Sequence, residues 1–248
     1  MSSTFVLVPG YWLGAWAWEG VAGPLRERGH RVHAVSLPGL AERAGEGGPE
    51  VDLEAHTADL VRLLAGLDQV VLVAHSGAGA PVSVAADRVP EKLRRVVYLD
   101  SGPLADGMSA LDQGGAAKRE RIEASVLDGW RYPMPSWERL AADGASTEGL
   151  DAARLAAVRE RATDQPIGAL RQPAHRTGGA AALPKTLVSC SFPLDQVRAM
   201  IAQGHPFFAE LAGPEWDFAE LSTGHWPMFS RPADTADLLA ELAGRGTA

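Results

Sequence analysis

Ser76 stands at the turn of the run Val70-Val71-Leu72-Val73-Ala74-His75-Ser76-Gly77-Ala78-Gly79-Ala80-Pro81, which passes from an apolar strand through small residues into a helix. A serine at the apex of so tight a strand-to-helix turn is held in a strained backbone conformation, as in a nucleophile elbow. Ala74 and Ala78 occupy the two places where the strict G-x-S-x-G pattern has glycine, so the formal pattern fails while its demand for small neighbours is met. The competing reading is a Gly-rich turn that packs tightly or binds a phosphate at the helix start. No third glycine completes the G-x-G-x-x-G of a dinucleotide site. A serine hydroxyl attacks only when a base takes its proton, so this chemistry demands a histidine from elsewhere in the chain. His225 is the best placed, in Ser222-Thr223-Gly224-His225-Trp226-Pro227-Met228-Phe229, between the last predicted strand and a helix predicted over Asp234–Leu242. His30, His33, His56 and His75 read as structural, and His175 and His205 are assigned no role.

The elements that must position these groups are legible as short apolar runs at Thr4–Val8, Arg31–Ser36, Gln69–Ala74, Arg94–Leu99, Thr186–Ser189 and Glu215–Leu221. Such strands alternating with amphipathic stretches predict an α/β fold with a parallel sheet covered on both faces. A helix over Ala17–Arg28 should stop at Gly29, and one over Leu53–Ala65 should be capped by Asp52 and end at Gly66. The alternation breaks between Gly102 and Pro184, where no convincing strand appears and helices are predicted over Ala116–Leu127 and Thr147–Thr163. Residues 1–102 and 184–248 are therefore expected to form the core, with 103–183 a helical lid over the site. Ordinary helical packing on the sheet edge is the alternative.

With 248 residues, 46% of them apolar and 22% charged, the chain can bury one full core. Its net charge of −8 argues against nucleic acid or an anionic lipid surface as partner. No stretch approaches the roughly 18 apolar residues of a membrane-spanning helix. The first residues read as a strand rather than a leader, so a cytoplasmic location is expected. Cys190 is the single cysteine and is expected to be a buried structural thiol, which excludes an intramolecular disulfide and a cysteine metal cluster.

Three segments together resemble the α/β-hydrolase superfamily: Leu7-Val8-Pro9-Gly10-Tyr11-Trp12-Leu13-Gly14-Ala15-Trp16-Ala17-Trp18, Ala74–Gly79, and Gly224-His225-Trp226-Pro227-Met228. The chain looks most similar to the branch holding plant methyl-ester esterases, hydroxynitrile lyases and small bacterial esterases, most clearly in its first hundred residues and least in the insertion. The resemblance implies a mostly parallel central sheet, a lid inserted between core strands, and the chain order nucleophile, acid, histidine. It also implies an oxyanion hole. The first loop of this branch usually reads His-Gly-Ala, and the third residue, here Tyr11, donates its backbone N–H; Gly77, after the nucleophile, gives the second. Pro9 stands in place of the usual histidine, which changes the hydrogen bonding of the loop but removes neither amide.

In most of the superfamily the acid follows the penultimate strand, where this chain reads Ser189-Cys190-Ser191-Phe192-Pro193-Leu194-Asp195. Asp195 is available there, yet it is an equally good N-cap for the helix that follows. Asp100 is the preferred acid: its strand should neighbour the nucleophile strand, about 5 Å away, and small bacterial members often show the same Tyr-Leu-Asp ending. A mechanism without a carboxylate is the remaining option.

The expected activity is that of a serine esterase, carboxylesterase-like or methylesterase-like, acting on a small, largely apolar or aromatic ester. Trp12, Trp130, Trp137, Trp226 and Met228 are expected to supply the pocket. A small-molecule ester is the expected partner, no cofactor or metal is implied, and a homodimer is left open. The alternatives are a lyase or decarboxylase on the same scaffold, or a binding protein without turnover. One type of hydroxynitrile lyase carries lysine where Trp226 stands and another asparagine at Gly10, and both departures favour ester hydrolysis.

Overall fold

The computed structural model describes residues 2–245, the side chains at 206 and 207 excepted. Its strands, in chain order, are β1 (Thr4–Val8), β2 (Arg31–Ala34), β3 (Val70–His75), β4 (Leu93–Leu99), the two-residue β5 (Arg131–Tyr132) and β6 (Gln165–Pro166), β7 (Lys185–Ser189) and β8 (Trp216–Glu220). Six of them form one sheet in the order β2-β1-β3-β4-β7-β8, and every pairing in it is parallel. All six apolar runs read from the sequence are therefore strands of the central sheet. β1, β3 and the last five residues of β4 are buried throughout because helices cover both faces.

The helices are α1 (Glu19–Glu27), α2 (Leu53–Ala65), α3 (Gly79–Arg88), α4 (Gly115–Ala124), α5 (Trp137–Ala142), α6 (Ala152–Arg161), α7 (Gly168–Arg171), α8 (Leu194–Ala202), α9 (Pro227–Ser230) and α10 (Pro232–Gly244). Because strand side chains alternate, Phe5, Leu7, Val71, Val73, Val97 and Leu99 pack against Leu25 of α1 and Leu239 of α10. Val6, Val8, Leu72, Val96 and Tyr98 point the other way, onto Leu60 and Leu64 of α2, Val82 and Ala85 of α3 and Val197 of α8. Each such Val or Leu contributes about 1.5–3 kcal/mol by leaving water. Among the described residues no helix is long and apolar enough to cross a membrane.

The Asp52 cap forms as expected, its carboxylate accepting the Ala55 N–H at 2.9 Å. Other boundaries differ. The helix expected from Ala17 begins as a 3-10 turn over Ala15–Trp18 and becomes α-helical only at Glu19. In the insertion, the helix expected to reach Leu127 ends at Ala124, where the Ser125 N–H and hydroxyl both donate to the Ile122 carbonyl, at 3.0 and 2.7 Å, and Asp128 and Gly129 then turn the chain with positive φ. The helix expected from Thr147 starts at Ala152, where the Asp151 carboxylate accepts the Arg154 N–H at 2.7 Å. The same stretch contains the β5–β6 pair and the short helices α5 and α7, none of which periodicity reveals at such lengths. Pro193, not Asp195, stands at the N-cap of α8; Asp195 lies in its first turn.

Candidate active site

The paired residues His75 and Leu99 end neighbouring strands, so Ser76 and Asp100 emerge side by side at the same sheet edge. Both take left-handed backbone conformations, with φ of 51° and 44°, which turn each chain sharply off its strand. Glycine at position 10 lets the first loop close on this turn: a Cβ there would lie 2.8 Å from the Ser76 Cβ. Glycine at 224 does the same for the histidine loop, where a Cβ would lie 2.5 Å from the Glu148 carbonyl oxygen.

His225 joins the two residues. Its Nδ1–H donates to Asp100 Oδ2 at 2.6 Å, and the Ser76 hydroxyl donates to its Nε2 at 2.8 Å. Asp100 is buried and also accepts the backbone N–H groups of Cys190 and Ser191, each at 2.9 Å to Oδ1, and the Ser191 hydroxyl at 2.6 Å to Oδ2. Burial alone would raise its pKa, but the hydrogen bond and charge of His225 and the Ser191 bonds outweigh it and hold the carboxyl below its usual range. A carboxylate, imidazole and hydroxyl in this order can pass the serine proton to the ring while the carboxylate stabilises the imidazolium that forms.

His75, read from the sequence as structural, has both ring nitrogens engaged. The Gly10 N–H donates to Nδ1 at 3.3 Å, and Nε2–H donates to the His225 carbonyl at 2.7 Å. The ring thus ties the first loop to the histidine loop. Burial, then the neighbouring His225 charge, lowers its pKa to about 3, so it is neutral at physiological pH.

A cavity of about 340 Å³ opens over Ser76, and Tyr11, Gly77, Asp100 and His225 all border it. The Tyr11 N–H makes no hydrogen bond within the described residues. Of the five side chains expected to supply the pocket, Trp12 and Trp226 line the cavity and three do not. Trp130 lies against Gly47. Trp137 stands edge-on to Trp226 at 5.1 Å, one layer back, and Met228, a residue of α9, is buried in the core. Tyr132, Ile122, Leu140 and Leu170, all from the insertion, take their places. They are scattered over 49 positions of a segment with weak periodicity, and only the folded path gathers them. Asp195 is not brought to His225: its side chain is 94% exposed and faces Arg198 at 3.7 Å. Cys190 is buried, as expected.

The insertion is bonded to both loops that carry the site. Trp12 Nε1–H donates to the Tyr132 carbonyl at 3.0 Å, and the Thr163 N–H donates to the Trp12 carbonyl at 3.0 Å. On the other side the His225 N–H donates to the Ser146 carbonyl at 2.7 Å.

Comparison with known proteins gives a consistent set of similarities. The family model described as "Alpha/beta hydrolase family" matches residues 5–238. A carbendazim hydrolyzing esterase of Nocardioides sp. (strain SG-4G) is 28% identical over 97% of this chain and 99% of its own. The putative chloroplastic methylesterase 14 of Arabidopsis thaliana is 26% identical over 96% of this chain and 71% of its own. Among solved structures, an extracellular alpha/beta-hydrolase from a Paenibacillus species superposes with a TM-score of 0.81 at 23% identity, covering 98% of this chain and 99% of that one.

Proposed function

The chain belongs to the Alpha/beta hydrolase family, and on that footing we propose that it cleaves a small, largely apolar or aromatic carboxylic ester through an acyl-enzyme formed on Ser76. The observation that carries this reading is the unbroken hydrogen-bond path from Asp100 through His225 to the Ser76 hydroxyl. The esterase and methylesterase names of the relatives support the same reaction.

In the proposed mechanism His225 Nε2 takes the Ser76 proton as Oγ attacks the ester carbonyl, and Asp100 steadies the imidazolium. The backbone N–H groups of Tyr11 and Gly77 receive the oxyanion; removing one donor of this kind costs about 10²–10³ in kcat. His225 then protonates the leaving alcohol, and water, activated by the same ring, releases the acid. Trp12, Tyr132, Ile122, Leu140, Leu170 and Trp226 give the cavity an apolar and aromatic part, which favours a largely apolar acyl or alcohol group, while Gln113, Lys118 and Asp143 also border it. Residues 103–183 act as the lid, with 1–102 and 184–248 as the core that carries the triad. The charge of −8 and the single buried thiol fit a cytoplasmic protein working on small molecules.

The test is intact-mass analysis after treatment with a fluorophosphonate, comparing wild type with Ser76→Ala, followed by a panel of small esters. A single adduct on the wild type, absent from the variant, together with ester turnover that the same substitution abolishes, is expected. Turnover that survives Ser76→Ala would overturn the assignment of the nucleophile.

A further inference from the structure

Tyr11 occupies the space that a side chain at position 77 would need. A Cβ added to Gly77 would overlap Cζ, Cε1 and Cε2 of the Tyr11 ring, so the phenol end of that ring lies against the residue that follows Ser76. The ring is held edge-on to Trp12, with centroids 5.7 Å apart and an interplanar angle of 73°. It borders the cavity, and its hydroxyl makes no hydrogen bond within the described residues. Burial, with a smaller push from Tyr132, raises its pKa above the ordinary tyrosine value, so the phenol keeps its proton and acts as a donor.

These facts place an unspent O–H donor on a ring that packs against Gly77, the residue after the nucleophile, and borders the cavity. We propose that Tyr11 determines specificity: its ring bounds the substrate on the side of Gly77, and its hydroxyl donates to a second oxygen borne next to the scissile carbonyl. The preferred substrates are then compact esters with an α-hydroxy, α-alkoxy or α-keto oxygen. This inference rests on the esterase reading, because it is the Gly77 amide that places the scissile carbonyl beside the ring. Where the usual loop of the branch has alanine, the bulk of Tyr11 also demands glycine at 77, so the two positions should behave as one steric unit.

Two measurements test this. The first compares kcat/KM for methyl lactate and its near-isostere methyl isobutyrate in wild type, Tyr11→Phe and Tyr11→Ala. The wild type should prefer the lactate, and Tyr11→Phe should lower that preference about 3- to 10-fold, the range of one hydrogen bond. In Tyr11→Ala the ratio for methyl mandelate over methyl lactate should rise about 10-fold, since a bulkier group can then enter. Unchanged ratios in both variants would overturn the proposal.

The second measurement needs no turnover. Gly77→Ala should lower the melting temperature when Tyr11 is present and have little effect in the Tyr11→Ala background, whereas additive shifts would sink the steric pairing. If fluorophosphonate labels Ser76 but no ester is turned over by any variant, the esterase reading fails, and the melting cycle still decides the pairing.

Discussion

Asp100 is the residue on which the site turns, because its two oxygens accept from His225, the Ser191 hydroxyl and two backbone N–H groups. An amide in its place keeps the shape but presents N–H where an acceptor is required, and His225 then settles in the wrong tautomer. Asp100→Asn is therefore expected to lower kcat by about 10⁴, the cost of that error in a serine triad, with the fold kept as judged by circular dichroism. Asp195→Asn should remain within about twofold of wild type, since changes at exposed positions of this kind shift stability by no more than about 0.5 kcal/mol. Near-wild-type turnover in both variants would remove the carboxylate from the mechanism. Ser76, His225 and Asp100 were readable because each sits at the end of an apolar strand or at a turn whose residue types are restricted. Ser191 was not readable: a serine in a polar loop carries no sign of the carboxylate it will meet 91 positions away. The loop after β7 supplies hydrogen-bond donors to the Asp100 carboxylate, which follows the neighbouring strand β4.

At the scale of elements, the sheet was legible because apolar, β-branched strands buried on both faces leave a continuous signal. The insertion was not, because its elements are short, its ends are fixed by local caps such as Asp151 and Ser136, and its inner face is shared among distant residues. What the insertion does is nevertheless concrete, since its Ser146 and Glu148 carbonyls receive the N–H groups of His225 and Gly224. Gly224 is the pivot of this clasp: an added Cβ would lie 2.5 and 2.7 Å from the Glu148 and Ser146 oxygens and 2.8 Å from the Glu148 nitrogen. Gly224→Ala must push the histidine loop away, and a displacement of the order of 1 Å at a reacting group costs about 100-fold. A fall in kcat of that size is expected, with a matching slowdown in fluorophosphonate labelling. Gly23→Ala is the control, because a Cβ there meets nothing within 4 Å. It lies within α1, where alanine is preferred to glycine by up to about 1 kcal/mol. Equal kinetics in the two variants would show that the clasp does not position His225.

For the whole molecule the same site contributes to the response to acid. His75 is neutral in the folded state because burial, and then the neighbouring His225 charge, disfavour the imidazolium, and its Nδ1 accepts the Gly10 N–H; an unfolded histidine titrates near 6.5. Its folded pKa is lowered to about 3, so between roughly 3 and 6.5 the unfolded chain binds a proton that the folded chain refuses, and stability rises with pH across that window. His56 adds to the effect in the same direction: burial lowers its pKa, and its Nε2 faces the Pro38 carbonyl. Asp100, whose pKa is also lowered, acts only further down. Its contribution is complete above the unfolded carboxylate value near 4 and is lost as pH falls through its folded value. Unfolding measured in urea from pH 6.5 to 5.5 thus weights the histidines over the carboxylates, each histidine of lowered pKa contributing a slope of up to about 1.4 kcal/mol per pH unit. His75→Gln offers an acceptor to Gly10 and a donor to His225 without a titrating group, so its slope should be smaller by about one proton than that of the wild type, whatever its stability at pH 7. Parallel slopes would mean that His75 already carries its proton in the folded protein, and the tie between the first loop and His225 would then have to be made by other groups.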